Sequence, residues 1–261
     1  MTAFVEDWQA WKTARERDLA DPYGWLALVS LEWLDDAPRR YEGLPGVWWQ
    51  DADAAYLDPQ GAEVSHEGAP VTDVRRFELV NSGAGTRVVA GDVEIEIARR
   101  SGYLIRVHDP KAEVLRDFRG VPSYEPRQEW VLEGRFEAFS EPRPTTVGAV
   151  VPGLSHVYTA PGVVRFSHEG VEHTLTAFNG KVDGLSILFT DATSGVTTYA
   201  ANRSLAVPAP DEQGVVVLDF NRATNLPCAF TDFATCPLPP EGNRLPFAVE
   251  AGETLPHERQ A

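Results

Sequence analysis

The side chains best suited to chemistry flank one apolar, proline-rich segment near the C-terminus, residues 219–245. Proline has no backbone N–H, so this segment offers few amide donors, and its carbonyl groups need donors from other residues. Arginine and asparagine side chains supply such donors, and the same side chains can hold an anionic or polar ligand. The candidate ligand-binding residues are Arg203, Asp219, Asn221, Arg222, Asn243 and Arg244.

Two functions fit these residue types. The first is a binding module for a small polar or anionic metabolite, held in a pocket beside the proline- and cysteine-rich segment. The alternative is an enzyme, for example a hydrolase, in which Asp219 or Asp191 acts as a base and arginines stabilise negative charge. A structural interpretation stays open for both: the arginines and asparagines could only pin the segment, and Asp191 could only open a turn. A third function, an interaction scaffold, would require an exposed apolar patch.

Both cysteines of the chain, Cys228 and Cys236, lie inside the same segment. A structural zinc site needs a second pair of ligands at close spacing, and the sequence has no second cysteine pair. A nucleophilic cysteine needs a base beside it, and no histidine is close to Cys228 in the sequence. We therefore expect no metal, and we interpret the two cysteines as packed thiols whose reactivity stays open.

Motifs for cofactors and for common nucleophiles are absent from the sequence. It contains no G-x-S-x-G, no G-x-x-x-x-G-K-[ST], no H-E-x-x-H and no G-x-G-x-x-G after a predicted strand. We therefore expect no cofactor, and the sequence assigns no reaction.

The charge of the chain limits its partners. Acidic residues outnumber basic ones by 39 to 23, which gives a formal net charge of −16. Such a surface is unfavourable for nucleic acid and for anionic membranes, so neither is expected as a partner. The sequence has no apolar run of the ~18 residues that a membrane span needs, and its N-terminus does not resemble a signal peptide. We expect a cytoplasmic protein whose partner is a small molecule.

The elements that must position the candidate residues are mostly strands. Residues 93–97 and 103–108 alternate apolar and polar side chains, and residues 215–218 form a β-like run directly before the proline-rich segment. Large apolar residues recur at helical spacing over residues 3–20. The predicted fold class is mainly β, with antiparallel sandwich or barrel-like sheets and an N-terminal amphipathic helix.

The predicted domain organisation has three parts. Residues 1–35 form an N-terminal helix and a buried apolar segment, and residues 36–120 form a β subdomain. Residues 121–261 form a barrel-like β subdomain that the proline- and cysteine-rich segment closes.

Shorter strands are also predicted where apolar residues cluster. Residues 114–118 are one candidate, and residues 247–249 are another, directly after the proline-rich segment. Residues 185–190 and 196–199 are expected to form the two strands of a hairpin.

Several motifs resemble a known family. These are Asp-Phe-Asn-Arg at residues 219–222, Pro-Cys-Ala-Phe at 227–230, Thr-Cys-Pro-Leu-Pro-Pro at 235–240 and Asn-Arg-Leu-Pro at 243–246. They resemble the bacterial and archaeal domain-of-unknown-function family sixteen eighty-four, and the similarity spans most of the chain. The sequence departs from the family pattern at residues 225–227, where the family tends towards Asn-Pro-Pro. The resemblance implies a shared fold and a shared C-terminal loop, and it implies no activity.

Overall fold

Alternating apolar and polar residues produce strands through much of the chain. The computed structural model describes residues 2–180 and 183–257. Helix α1 comprises Ala3–Leu19 and helix α2 comprises Glu113–Asp117. The strands are β1 Leu28–Trp33, β2 Val47–Gln50, β3 Ala55–Asp58, β4 Ser65–His66, β5 Ala69–Pro70, β6 Arg75–Phe77, β7 Thr86–Ala90, β8 Val93–Arg99, β9 Tyr103–His108, β10 Val131–Gly148, β11 Ser155–His168, β12 Val171–Asn179, β13 Gly184–Phe189, β14 Arg203–Pro208, β15 Val215–Asp219 and β16 Thr224–Asn225. The predicted fold class, mainly β with antiparallel sheets and an N-terminal helix, is confirmed.

The described residues cluster into two compact units. The C-terminal unit contains the chain up to Glu16, Arg119–Phe230 and the described residues from Thr235 onwards. The N-terminal unit contains Arg17–Phe118 and Thr231–Ala234. The predicted three-part division of the sequence, at residues 1–35, 36–120 and 121–261, stays a prediction.

The N-terminal unit is built from two antiparallel sheets. The larger has the strand order β1-β9-β8-β7-β4-β5, and the smaller has the order β2-β3-β6. Strands β8 and β9 pair in register, with Ile95 opposite Val107 and Ile97 opposite Ile105. These apolar side chains pack with Trp48 in the core of this unit. The alternation of apolar and polar residues along the two strands therefore predicted which side chains face this core.

The C-terminal unit contains one seven-stranded antiparallel sheet with the order β15-β10-β11-β12-β13-β14-β16. The long strands β10 and β11 pair over most of their length, with a register shift between Ala138 and Arg143, beside Pro142. Among the described residues, the outer strands β15 and β16 are not paired with each other. The sheet is therefore open, and the closed barrel that the sequence suggested is not formed.

In residues 2–180 and 183–257, no helix is long and apolar enough to cross a membrane.

One predicted strand, at residues 114–118, is a helix instead. Helix α2 has no buried residues, and it carries Glu113 in its first turn and Arg116 in its last turn. Acidic groups near the start and basic groups near the end of a helix favour its dipole. Because neither side of this segment is buried, the alternating burial that stabilises a strand is missing.

The expected hairpin between residues 185–190 and 196–199 is also wrong. Strand β13 pairs with β14, and the chain between them forms tight turns around Thr193. The carbonyl oxygen of Thr193 accepts hydrogen bonds from the N–H groups of residues 196, 197 and 198. Those N–H groups are therefore not available for strand pairing.

A buried charged cluster links β8 and β9 in the N-terminal unit. Arg106 donates from Nε to Glu96 Oε2 at 2.9 Å and from Nη2 to Glu96 Oε1 at 2.7 Å. His108 Nε2 lies 3.3 Å from Glu96 Oε2. Burial alone would raise the pKa of Glu96, but the hydrogen bond from His108 and the charge and hydrogen bonds of Arg106 lower it to about 2. Glu96 therefore stays ionised under most conditions and holds two basic side chains in place.

We predict that Glu96→Gln destabilises the protein at pH 7 by about 3 kcal/mol, because the charge pairing is lost while Arg106 remains buried. The pKa of Glu96 is lower in the folded state than in the unfolded state. Its contribution is therefore complete above about pH 4.5 and is lost as the pH falls towards about 2. Urea unfolding followed by circular dichroism across this pH range measures both effects.

The matched control is Glu94→Gln on the same strand, since Glu94 pairs with the exposed Arg87. We expect this control to change stability by less than about 1 kcal/mol and to leave the acid-dependent loss in place. Equal stability losses in the two variants would contradict the assigned role of Glu96.

Candidate functional site

Arg203 lies at the start of β14, where alternate residues face the core together with Leu205 and Val207. Its Nη2 lies 2.9 Å from Asp191 Oδ2, and both side chains are at most 1% exposed. The ring of Phe189, its partner on β13, lies 5.3 Å from the guanidinium. Arg203 and Asp191 thus form an ion pair inside the C-terminal unit.

Four of the five N–H groups of the Arg203 guanidinium have acceptors. Nη1 donates to the carbonyl oxygens of Ala251 and Glu253, and Nη2 donates to Asp191 and to the carbonyl oxygen of Val249. Burial lowers the pKa of Arg203, and the nearby carboxylates of Asp191 and Glu253 oppose that change. Residues 249–253 are therefore ordered around one guanidinium, which explains why the strand predicted at residues 247–249 does not form.

Gly252 allows the chain to pass around this guanidinium. Its φ is +77°, and a Cβ atom at this position would lie 2.6 Å from the carbonyl oxygen of Ala223. The N–H of the next residue, Glu253, donates to that same oxygen at 2.9 Å. Only glycine satisfies both the backbone conformation and the close approach.

Asn225 on β16 is paired directly with Arg203 on β14. Its side-chain Nδ2 donates to the carbonyl oxygen of Thr254 at 2.7 Å, and its backbone N–H donates to Glu253 Oε2 at 2.6 Å. The other carboxylate oxygen of Glu253 accepts from Arg15 Nε at 3.0 Å. Two ion pairs, Arg203 with Asp191 and Arg15 with Glu253, therefore converge on the strand pair β14–β16.

Two buried polar atoms at this strand pair have no hydrogen-bond partner among the described residues. They are the donor Arg203 Nε and the acceptor Asn225 Oδ1. A third, Asn202 Oδ1, belongs to a buried amide whose Nδ2 donates to the carbonyl oxygen of Pro237 at 2.6 Å. Reversing either asparagine amide would point an oxygen at a carbonyl oxygen, so the assignment of these acceptors is fixed by their neighbours.

Asp219, Asn221 and Arg222 lie at a different place, beside helix α1. Asn221 is buried and bonds to the backbone N–H and carbonyl of Arg127 at 2.9 and 3.0 Å. Asp219 Oδ1 accepts from the Asn221 backbone and side chain, and its Oδ2 lies 3.1 Å from Arg222 Nε. Arg222 Nη2 also pairs with Asp7 of α1, and the guanidinium lies 5.7 Å from the ring centre of Trp11.

The side-chain amide of Asn243 lies between strands β12 and β13. These strands pair at Phe178 and Ser186, and continuing that register would set Thr176 opposite Leu188. There the Asn243 amide intervenes: it accepts from the Thr176 N–H at 2.8 Å and donates to the carbonyl oxygens of Thr176 and Leu188 at 2.9 and 2.8 Å. The side chain of the next residue, Arg244, is exposed.

Asp191 and Asp219, the predicted bases, are both held by several donors. Asp191 Oδ1 accepts from the Thr193 N–H and hydroxyl at 2.7 and 2.6 Å and from the Val249 N–H at 3.2 Å. The second oxygen of Asp191 is paired with Arg203. Both carboxylates are therefore paired with an arginine and with further donors of the fold.

The six predicted residues therefore occupy separate parts of the C-terminal unit. Arg203 lies in the buried ion-pair region, Asp219, Asn221 and Arg222 lie beside α1, and Asn243 lies between two strands. The predicted ligand-binding residues do not include Asn202, Asn225 or Glu253. A signal was present for Asn225, which lies inside the proline-rich segment, but nothing local distinguishes it from Asn221.

Over residues 2–180 and 183–257, no three or more histidine, cysteine, aspartate and glutamate side chains form a group that could hold a metal ion. Cys228 and Cys236 are buried, at 3% and 6% exposure, so the prediction that both are packed inside the protein is confirmed.

We predict that Asp191→Asn lowers the free energy of unfolding by about 3–5 kcal/mol, because it leaves the buried Arg203 guanidinium without a counter-ion. The matched control is Asp7→Asn, which removes the same charge from the exposed pair with Arg222. The control should change stability by less than about 1 kcal/mol. Urea unfolding at pH 7 compares them, and a small loss in both variants would refute the importance of the buried pair.

Comparison with known proteins identifies a family. The model of the family described as "Protein of unknown function (DUF1684)" matches residues 116–254. A solution NMR structure of an uncharacterized protein from Haloarcula marismortui is 29% identical, with a TM-score of 0.45, and the match covers 53% of this chain and 78% of that chain. No curated protein matches the chain significantly. With more than half of its length matched by the family model, the chain belongs to this family of proteins of unknown function.

Proposed function

We propose that the C-terminal unit binds a small polar metabolite at the β14–β16 strand pair, beside the proline- and cysteine-rich segment. The ligand carries a neutral group that both accepts and donates hydrogen bonds, such as a hydroxyl or an amide. The observation that carries this proposal is the pair of buried atoms, Arg203 Nε and Asn225 Oδ1, that lack partners among the described residues. A cytoplasmic location, where cysteines are kept reduced, is part of the same proposal.

The positions of these two atoms favour one ligand group. Arg203 and Asn225 are directly paired residues of antiparallel strands, so their side chains project from the same face and their Cβ atoms are about 5 Å apart. One atom is a donor and the other is an acceptor. A buried polar atom without a partner costs about 1–3 kcal/mol, and one hydroxyl or amide group can satisfy both atoms at once.

The charges around this position favour a neutral ligand over an anion. Arg203 and Arg15 are each paired with a carboxylate, Asp191 and Glu253. An anion would add an uncompensated negative charge to a buried region that already balances. Near α1, Arg222 faces two carboxylates, from Asp7 and Asp219, so anions are not favoured there either.

The hydrolase alternative has less support from the geometry. Asp191 serves the Arg203 ion pair and the Thr193 turn, and Asp219 serves Asn221 and Arg222. Each carboxylate therefore has a structural use that explains its position. We propose binding without a general base at this site.

A thermal-shift screen tests the proposal. Panels of neutral compounds with hydroxyl or amide groups (sugars, nucleosides, amino-acid amides) and of anions (phosphates, carboxylates) are compared on the parent protein, Asn225→Ala and Arg222→Ala. We expect at least one neutral compound to raise the melting temperature of the parent by several degrees at saturating concentration. Asn225→Ala should lose that shift, and Arg222→Ala should keep it.

The matched control is Asn243→Ala, which also removes a buried asparagine of the same sheet. All the polar atoms of that amide are already bonded to backbone groups, so it offers nothing to a ligand. This control should be less stable than the parent and still show the ligand-induced shift. Shifts that come only from anions and disappear in Arg222→Ala, or the absence of any shift from neutral compounds, would contradict the proposal.

A further inference from the structure

We propose that Cys228 and Cys236 form a reversible intramolecular disulfide, so that this pair is a site of oxidative modification. The inference is independent of ligand binding. It concerns the two cysteines that the sequence analysis singled out and that the proposed function does not use.

The two residues are in direct contact. The backbone N–H of Cys228 donates to Cys236 Sγ at an N–S distance of 3.2 Å. Because the N–Cα bond is about 1.46 Å long, the Cys228 Cα lies within about 4.7 Å of that sulfur. Disulfides join residues whose Cα atoms are roughly 4.4–6.8 Å apart, and this contact keeps the pair within reach of that range.

The backbone on both sides of the pair is held by hydrogen bonds. Cys228 lies in the short 3-10 helix Pro227–Ala229, which begins with proline, and the Ala229 N–H donates to Leu226 at 2.9 Å. The carbonyl oxygen of Cys236 accepts from the Val150 N–H at 2.9 Å. The backbone around both cysteines is thus held in place before oxidation, so forming the disulfide costs the folded protein little conformational entropy.

The pair suits an intramolecular bond better than a bond to another molecule. Both side chains are buried, at 3% and 6% exposure. A small oxidant therefore reaches them only during local opening, whereas Cys236 Sγ lies beside the Cys228 backbone in the folded protein. A mixed disulfide formed with a small molecule would be displaced by the neighbouring thiol.

The chemistry is a two-step exchange with a small disulfide as the oxidant. The thiolate of one cysteine attacks the small disulfide, which forms a mixed disulfide and releases one small thiolate. The second cysteine thiolate attacks the protein sulfur of the mixed disulfide and releases the other small thiolate. Two electrons pass from the protein to the oxidant, and the two protons that the cysteines lose are taken up by the released thiolates.

The experiment incubates the native, reduced protein with oxidised glutathione and then alkylates the remaining thiols. We expect neither cysteine to be alkylated after oxidation, and we expect the mass of the protein to fall by two hydrogen atoms. On non-reducing electrophoresis the oxidised protein should run as a single chain, as the reduced protein does. Digestion should yield one cross-linked peptide containing both cysteines. The oxidised form should melt about 5 °C higher than the reduced form, and dithiothreitol should reverse both changes.

Two variants serve as controls. Cys228→Ala and Cys236→Ser each leave one thiol, and serine keeps an acceptor for the Cys228 N–H. Each variant should take up one glutathione slowly, because no neighbouring thiol displaces it.

Retention of both cysteines in the reduced form in the native protein, under conditions that oxidise the urea-unfolded chain, would overturn the proposal. Stable addition of a glutathione to each cysteine of the parent would overturn it as well. These measurements are made on the unsubstituted chain, so they decide the matter even where a variant fails to fold.

Discussion

The C-terminal unit depends on the burial of one guanidinium. Arg203 cannot lose its charge at ordinary pH, so the fold must supply acceptors for its N–H groups inside the protein. Asp191 and the carbonyl oxygens of Val249, Ala251 and Glu253 do so. Those carbonyls come from a segment whose strand pairing, among the described residues, is limited to one isolated bridge between Glu253 and Ser123. The requirement of one side chain therefore determines the path of the chain after the proline-rich segment.

A second constraint follows from the prolines, which remove backbone donors. Buried asparagine amides replace them, because one amide offers a donor and an acceptor at the spacing of a peptide group. Asn221 pairs with both backbone groups of Arg127, and Asn243 does the same with Thr176. Each amide thus bonds as a peptide group of a strand would. These bonds add to the pairing of β16 with β14 and to the isolated bridges at Pro237 and Arg244, which also join the irregular segment to its surroundings.

Local periodicity predicted the parts of the fold that local forces determine. Helix α1 and strands β8 and β9 were predicted because apolar residues recur along each of them at the period of its structure, although β9 is buried on both faces. Residues 196–199 and 247–249 were predicted wrongly, since their apolar composition suits a strand but their backbone groups serve Thr193 and Arg203. The sequence also predicted that arginine and asparagine would supply donors around the prolines. It could not show which arginine is buried, because Asp191 and residues 249–253 become its neighbours only through tertiary structure.

The buried pair of Arg203 and Asp191 is not explained by stability alone. An apolar pair of similar volume often stabilises a core as well as a buried ion pair does, because both charges must lose their hydration. Two effects are available only to the charged pair. It fixes three carbonyl oxygens of an otherwise irregular segment, and it leaves one buried N–H, at Nε, without a partner among the described residues, on the residue that pairs with Asn225. The first effect is already used by the fold. The second leaves Arg203 Nε and Asn225 Oδ1 without partners among the described residues. A ligand group that accepts from Arg203 Nε and donates to Asn225 Oδ1 would satisfy both atoms.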